Sequence, residues 1–299
     1  MTDMENVFFK VGSQLLKSAA TRLPEDVVQA LQQAYRKEST AEGRAQLKAI
    51  LEKIDIAKQH DLPICQDTGI PLFFVRWAFK FGSTVDIRGP LSKPTEKATK
   101  DTPLRPNVIN PLTKENPGTN VGWGMPYIHH EVDPSADYVE ITAVPKGFGS
   151  EAKSALVFIT TSESIPKAVK RCVLDHVVSA GGEPCPPTII GLGIGGTSDI
   201  AMNLAKRALF RYPVGASHED EEVARLERQI LEGVNSTGLG PMGVGGDTTS
   251  LAVHAEICGA HTAVVSLGIT FQCWAARYST ARIYSDGSIL YLTHEEGGK

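Results

Sequence analysis

The stretch Thr188-Ile-Ile-Gly-Leu-Gly-Ile-Gly-Gly196, with the helical segment Ser198 to Phe210 behind it, decides the fold class. Its first half is a short apolar run with β-branched residues, which reads as a buried strand, and its glycines lead into a helix. The run Gly191-Leu-Gly193-Ile-Gly195-Gly196 also matches the G-x-G-x-x-G pattern that cradles a dinucleotide pyrophosphate. That pattern calls for a strand ending in an acid about 20 residues on, and the polar Ser217-His-Glu-Asp-Glu-Glu222 stands there instead. An NAD-binding oxidoreductase is therefore the rival reading from another class. A milder reading keeps the physics: glycines let backbone approach a ligand, and a helix N-terminus offers N–H groups to a carboxylate. Gly240-Pro-Met-Gly-Val-Gly-Gly-Asp-Thr-Thr-Ser250 repeats the device, with Asp247 or Thr248 available to cap a following helix. Two such loops around one cleft suit a dianion.

On the N-terminal side the pattern is helical. Pro24, Glu25 and Asp26 open a segment whose Val27, Leu31 and Ala34 share a face, and Leu47, Ile50, Leu51 and Ile54 repeat it. After His60 the texture changes: residues 71–77 read as a buried strand, prolines punctuate loops and one short polar helix between Gly89 and Gly124, and Tyr138–Val144 alternates as a half-buried strand. Ile165, Val169, Cys172 and His176 mark one helix face, and Ser217 and Asp220 signal a cap ahead of Val223, Leu226 and Ile230. The expected fold class is mixed α/β (α+β), N-terminal helices followed by a mixed-sheet domain. With no repeat, low-complexity segment or linker, 1–299 reads as a single domain, with 1–60 its helical N-terminal region and 61–299 its core.

The 299 residues are 41% hydrophobic and 21% charged, ample for a sizeable core. A net charge of −4 supplies no basic field for phosphate backbones, so nucleic acid is not an expected partner and a small ligand is. The first ten residues lack a cationic flank and apolar stretch, and no later run approaches the ~20 apolar residues of a membrane span. A cytoplasmic location without a membrane partner is expected. Five cysteines in such a chain point to thiols or metal ligands before disulfides.

The cysteines separate by context. Cys172 lies on an apolar helix stripe and Cys258 at the end of a short helical run (Leu251, His254, Ala255), so both read as buried packing residues. Cys65, Cys185 and Cys273 occur where the backbone turns or a strand ends, positions that project side chains into clefts. Three thiolates that met around an iron–sulfur cube would leave one iron without a protein ligand, suited to Lewis-acid chemistry. Their spacing resembles neither a zinc finger nor a ferredoxin, and from spacing alone three unconnected thiols in loops are the better reading.

Four motifs together are more specific. Cys65-Gln-Asp-Thr-Gly69, Cys185-Pro-Pro-Thr-Ile-Ile-Gly-Leu-Gly-Ile-Gly-Gly196, Gly243-Val-Gly-Gly-Asp-Thr-Thr249 and Cys273-Trp-Ala-Ala-Arg277 closely resemble the class I fumarase and tartrate dehydratase family, in its α-type subunit or N-terminal domain. The resemblance covers nearly the whole chain. It implies a 4Fe-4S cluster bound by Cys65, Cys185 and Cys273. It also implies catalytic roles for Asp67 and for His261, twelve residues before Cys273, and substrate contacts from Gln66, Arg105 in Pro103-Leu-Arg-Pro-Asn107 and, more loosely, Gly149. Read without it, Asp67 is a turn former, Arg105 a surface arginine and His261 a surface or core histidine. Arg277 either pairs with substrate or covers the cluster, while His129, His130 and His254 read as structural.

The chemistry implied is the reversible addition of water to a small dicarboxylate. It removes a weakly acidic proton beside a carboxylate and expels hydroxide, so it needs a polarising centre, a carboxylate clamp and a proton carrier. Gly147-Phe-Gly-Ser-Glu-Ala-Lys-Ser154 and Gly245-Gly-Asp-Thr-Thr249 look like fumarase versions, and Gln272-Cys-Trp-Ala275 like the tartrate version, which leans the expectation to fumarate. Single-chain relatives in the family carry a second domain with further substrate arginines and a proton-abstracting residue. This sequence stops at Lys299, so a separate β subunit, and hence a hetero-oligomer, is expected.

Overall fold

A computed structural model of the chain describes residues 3–78 and 88–294; the first two residues and the close of the chain to Lys299 lie outside it. The elements in order are α1 (Asp3–Thr21), α2 (Glu25–Lys37), α3 (Ala41–His60), β1 (Ile70–Ala78), α4 (Arg88–Asp101), β2 (Tyr127–Asp133), β3 (Tyr138–Lys146), α5 (Phe148–Glu151), β4 (Ala155–Thr160), α6 (Ile165–Ala180), β5 (Thr188–Ile194), α7 (Ser198–Ala208), α8 (Glu221–Asn235), β6 (Ser250–Ile257), β7 (Val264–Gln272), β8 (Ser279–Tyr284) and β9 (Ile289–Tyr291). Helices with mixed parallel and antiparallel sheets make the fold mixed α/β, as expected. The chain divides into two compact units, one of Met1–Glu25, Lys53–Phe148 and Arg277–Lys299, the other of Asp26–Glu52 and Gly149–Ala276. Among the described residues no helix is long and apolar enough to cross a membrane.

The first unit is a five-stranded sheet in the order β2-β1-β3-β8-β9, with β1 and β2 parallel and the other pairs antiparallel. Period-two alternation sorts its faces. Phe73 and Val75 of β1 and Val139 and Ile141 of β3 turn inward onto Phe8, Val11 and Leu15 of α1 and Leu91 and Ala98 of α4. On the opposite face Phe74 stacks on His129 with ring centroids 4.4 Å apart, and Arg76 pairs with Glu131 at 3.6 Å. His129 is thus a packing residue, as its sequence suggested.

The second unit is a four-stranded sheet in the order β4-β7-β5-β6, with β5 and β6 parallel and β7 antiparallel to both β5 and β4. Ile190 and Leu192 of β5 and Leu267, Ile269 and Phe271 of β7 join Val169, Val173 and Val177 of α6 and Ile230 and Val234 of α8 in its core. Small residues bring α7 close to the sheet. A Cβ on Gly193 would stand 2.0 Å from the Ala201 carbonyl oxygen, and one on Gly268, its cross-strand partner, 2.6 Å from the same atom. Gly191 and Gly193 of the 188–196 run therefore serve contact between helix and sheet. The N–H groups of Gly195 and Gly196 are already given to the carbonyls of Ser266 and Gly259, and Asp199 lies in the first turn of α7. A pyrophosphate would meet spent donors and a carboxylate there, so the dinucleotide reading fails on geometry.

Three local expectations also change. Residues 250–257 are strand β6 and not a helical run, because the β-branched and apolar residues there sit in the parallel ladder with β5. Asp247 consequently caps no helix, and Cys258, just past the strand end, is exposed. The cap at Asp220 is as expected: its carboxylate accepts from the N–H groups of Glu222 and Val223.

A buried polar network ties the segment after α7 to β6. Arg211 reaches Glu227 at 2.6 Å, Glu256 at 2.7 Å and the Ala255 carbonyl at 2.6 Å. His254 gives Nδ1–H to the Ala208 carbonyl at 3.0 Å and accepts the Gly215 N–H on Nε2 at 3.0 Å, which assigns it one neutral tautomer. Burial, reinforced by the Arg211 charge, lowers its pKa from 6.5 to about 4, and burial does the same to His294 in the first unit.

Two outcomes are expected. Gly193→Ala forces a methyl against helix backbone and lowers stability by about 3 kcal/mol, read from urea denaturation midpoints. Between pH 6.5 and 4 the unfolded chain protonates both histidines while the folded chain keeps them neutral, so the unfolded state binds more protons and stability falls as pH falls. Each site contributes up to about 3 kcal/mol across that window. Denaturation at a series of pH values measures the slope, and His254→Asn retains only the His294 share.

Candidate functional site

In the first unit, Cys65, Gln66 and Asp67 occupy the loop between α3 and β1. The half-buried Cys65 thiol lies 3.7 Å from Gln66 Oε1. Asp67 does two things. Its Oδ1 accepts the Gly69 N–H at 3.0 Å, closing an Asx-type turn, and Asn107 Nδ2 at 3.3 Å, while its Oδ2 accepts the Phe148 N–H at 2.8 Å. Gly147 keeps this corner open: a Cβ there would stand 3.4 Å from Asp67 Oδ2 and 3.2 Å from Arg277 Nη2. Arg277 is only 1% exposed, so it is enclosed within the protein near Asp67.

Arg105 is tied to the same loop through its backbone. Its N–H donates to Thr68 Oγ1 at 2.9 Å, and its carbonyl accepts from Asn120 Nδ2 at 3.0 Å. Asn120 is 2% exposed with φ of +59°, and its Oδ1 also takes the N–H of Asn107 at 2.7 Å. The backbone of Arg105 is thus fixed while its guanidinium is exposed and has no carboxylate partner among the described residues. The first unit brings together Cys65, Gln66, Asp67 and Arg105.

The second unit gathers Gly149, Cys185 and Cys273, and strand register is the cause. Ile189 of β5 pairs with Gln272 of β7, so the residues just before β5 and just after β7 share one end of the sheet. The Trp274 N–H donates to the Cys185 carbonyl at 3.1 Å. Cys185 has φ of +58°, unusual for a side-chain-bearing residue, with its N–H on the Gly182 carbonyl at 3.0 Å. Its thiol lies 3.7 Å from the Glu183 carbonyl, beside which a Cβ on Gly149 would stand at 3.2 Å.

His261 is not brought to this group. It is exposed in the turn before β7, with its Nδ1 accepting the Ala263 N–H at 3.2 Å. The nine residues of β7 separate it from Cys273, about 30 Å of extended chain.

None of the five cysteines is in a disulfide, and Cys65, Cys185 and Cys273 are all partly exposed on turns or at a strand end. Among the described residues no three His, Cys, Asp or Glu side chains gather as a ready site for a single metal ion. Soft, unbridged thiols of which two share one sheet end have the donor chemistry for an iron–sulfur group, so the residues fit one. Thr68, Asn107 and Asn120 are the polar supports that sequence reasoning missed. Their one available signal was asparagine's tolerance of positive φ, visible only at Asn120.

A family model described as Fumarate hydratase (Fumerase) matches residues 10–282. The putative L(+)-tartrate dehydratase subunit alpha of Methanocaldococcus jannaschii is 47% identical over 279 residues, which cover 92% of this chain and 97% of that protein. The L(+)-tartrate dehydratase subunit alpha of Escherichia coli (strain K12) is 30% identical over 289 residues, 97% of this chain and 95% of that protein. With a match over all but the ends and the motif residues held as described, the chain belongs to the fumarate hydratase (Fumerase) family and is a hydro-lyase.

Proposed function

We propose that this chain is the α-type subunit of a 4Fe-4S hydro-lyase that interconverts fumarate and (S)-malate together with a β subunit. The observation that carries the reading is the family match across residues 10–282, which contain the three thiols and every other motif residue. The proposed cluster ligands are Cys65, Cys185 and Cys273. When bound, such a cluster supplies a Lewis-acidic iron for the hydroxyl and a carboxylate of the substrate. Five cysteines without a disulfide support a reducing, cytoplasmic setting.

The remaining work falls to the chain's own groups. The exposed guanidinium of Arg105, on a fixed backbone, pairs with a substrate carboxylate in forked geometry and sets its register. The Gln66 amide offers both a donor and an acceptor to the substrate, and Gly149 admits it close to backbone. Asp67 carries the proton. Its Oδ2 accepts one N–H, that of Phe148, and keeps a further lone pair for a proton while the turn bonds of Oδ1 hold it in place. His261 keeps its proposed catalytic role from the family motif, at the end of β7 opposite to Cys273.

The β subunit is supported by the names of the two relatives, both alpha subunits. Those names also favour a second reading, dehydration of L(+)-tartrate, to which Gln272-Cys-Trp-Ala275 lends support. Anaerobic co-expression with a β-type chain, followed by turnover of fumarate, malate and tartrate, decides between them. The fumarate reading expects the first two to exceed tartrate, and the reverse order overturns it. The chain purified alone is expected to be brown with about four irons yet nearly inactive. Full activity without a partner sinks the two-subunit proposal. Asp67→Asn should lower kcat by at least ~100-fold while the cluster absorbance stays, the signature of a lost proton carrier.

A further inference from the structure

Glu38 follows α2 and is wholly enclosed, 0% exposed, with no cation on its carboxylate among the described residues. Backbone N–H groups neutralise it. The Asp247 N–H lies 3.0 Å from each oxygen and the Thr248 N–H 3.3 Å from Oε2, while the Thr40 N–H and hydroxyl reach Oε1 at 3.2 and 2.8 Å. The clasp is reciprocal, since Asp247 Oδ2 accepts the Ser39 N–H at 2.7 Å. Gly246 makes room for it: a Cβ there would stand 2.8 Å from Glu38 Oε1.

The loop held this way, residues 240–248, leans on the turn that presents Cys185. The Met242 N–H donates to the Pro186 carbonyl at 2.8 Å, and a Cβ on Gly243 would stand 2.6 Å from the Gly182 Cα, so the two backbones are in contact on both sides of Cys185. A cysteine at φ of +58° persists only where its surroundings over-determine it. We propose that Glu38 is a positioning residue of the active site, which holds the 240–248 loop against the 182–186 turn and thereby keeps the Cys185 thiol in its presented conformation.

The negative charge is required. Every group facing the two oxygens is a donor, so a glutamine would turn its own NH2 against N–H groups. The consequence for the cluster rests on the reading of Cys185 as a ligand; the positioning itself does not. The test therefore uses metal-free full-length chain and reads neither iron nor turnover. Iodoacetamide labelling of each cysteine is timed by peptide mass spectrometry, with the exposed Cys258 as internal reference. In Glu38→Gln the ratio of Cys185 to Cys258 labelling rates is expected to rise at least ~10-fold as the turn opens locally. Ile230→Val, which loosens the core of the same unit elsewhere, leaves the ratio within about two-fold. If Glu38→Gln does not accumulate folded, Asp247→Ala removes only the Ser39 bond and should raise the ratio about three-fold. An unchanged ratio in the folded variant overturns the proposal. An increased ratio in a chain that proves to hold no cluster leaves the positioning intact and removes only the hydro-lyase reading of the thiol.

Discussion

The second unit depends on one steric constraint, the pairing of Gly193 with Gly268 beneath the backbone of Ala201. Neither position tolerates a Cβ at that distance, so α7 lies against the sheet where two glycines stand opposite each other. A slip of one residue would place side chains there and turn every residue of β7 to the other face. That register sets Gln272 beside Ile189 and brings the segments that carry Cys185 and Cys273 to one end of the sheet, where the Trp274 N–H meets the Cys185 carbonyl. The approach of these two segments, far apart in sequence, is thus a consequence of helix-to-sheet packing several residues away.

Carboxylates do the complementary work in the loops. Asp67, Glu38 and Glu227 each accept backbone N–H groups from segments distant in sequence: Phe148 for Asp67, Asp247 and Thr248 for Glu38, Ala255 for Glu227. Charge-assisted bonds of this kind are stronger than neutral ones and offset the desolvation of an enclosed anion. Side-chain amides do the same for the Arg105 loop, where Asn120 bonds Thr99 of α4 and both Arg105 and Asn107 of the loop. Arg105 is an exposed residue on a tethered backbone, an arrangement that suits a group which must meet a ligand without moving far.

The glycine-rich run at 188–196 shows how the same letters serve two physical ends. A dinucleotide site uses glycines to admit a phosphate, whereas here Gly191 and Gly193 admit a helix, and the N–H groups of Gly195 and Gly196 are taken by the carbonyls of Ser266 and Gly259. His261 is the counterpart among the motif residues. Twelve positions from Cys273 is near in sequence, but an intervening strand converts that spacing into distance. Cys258 is exposed because Leu251, His254 and Ala255, whose spacing fits a helix, lie instead in the nearly continuously buried strand β6, just past whose end Cys258 stands.

By itself the sequence determined the helices at Glu25–Lys37 and Ile165–Ala180, the cap at Asp220 and the strands at β1, β3 and β5, because apolar period and capping chemistry act over a few residues. Its motifs also marked Cys65, Asp67, Arg105, Cys185 and Cys273. Only the tertiary structure decided that Asn120 would carry the Arg105 loop and that Glu38 would clasp Asp247. It alone also decided that Cys185 would adopt a positive φ beside Trp274. Those depend on hydrogen bonds and close contacts between segments up to two hundred residues apart, and a buried polar group leaves no periodic trace from which its partner can be read.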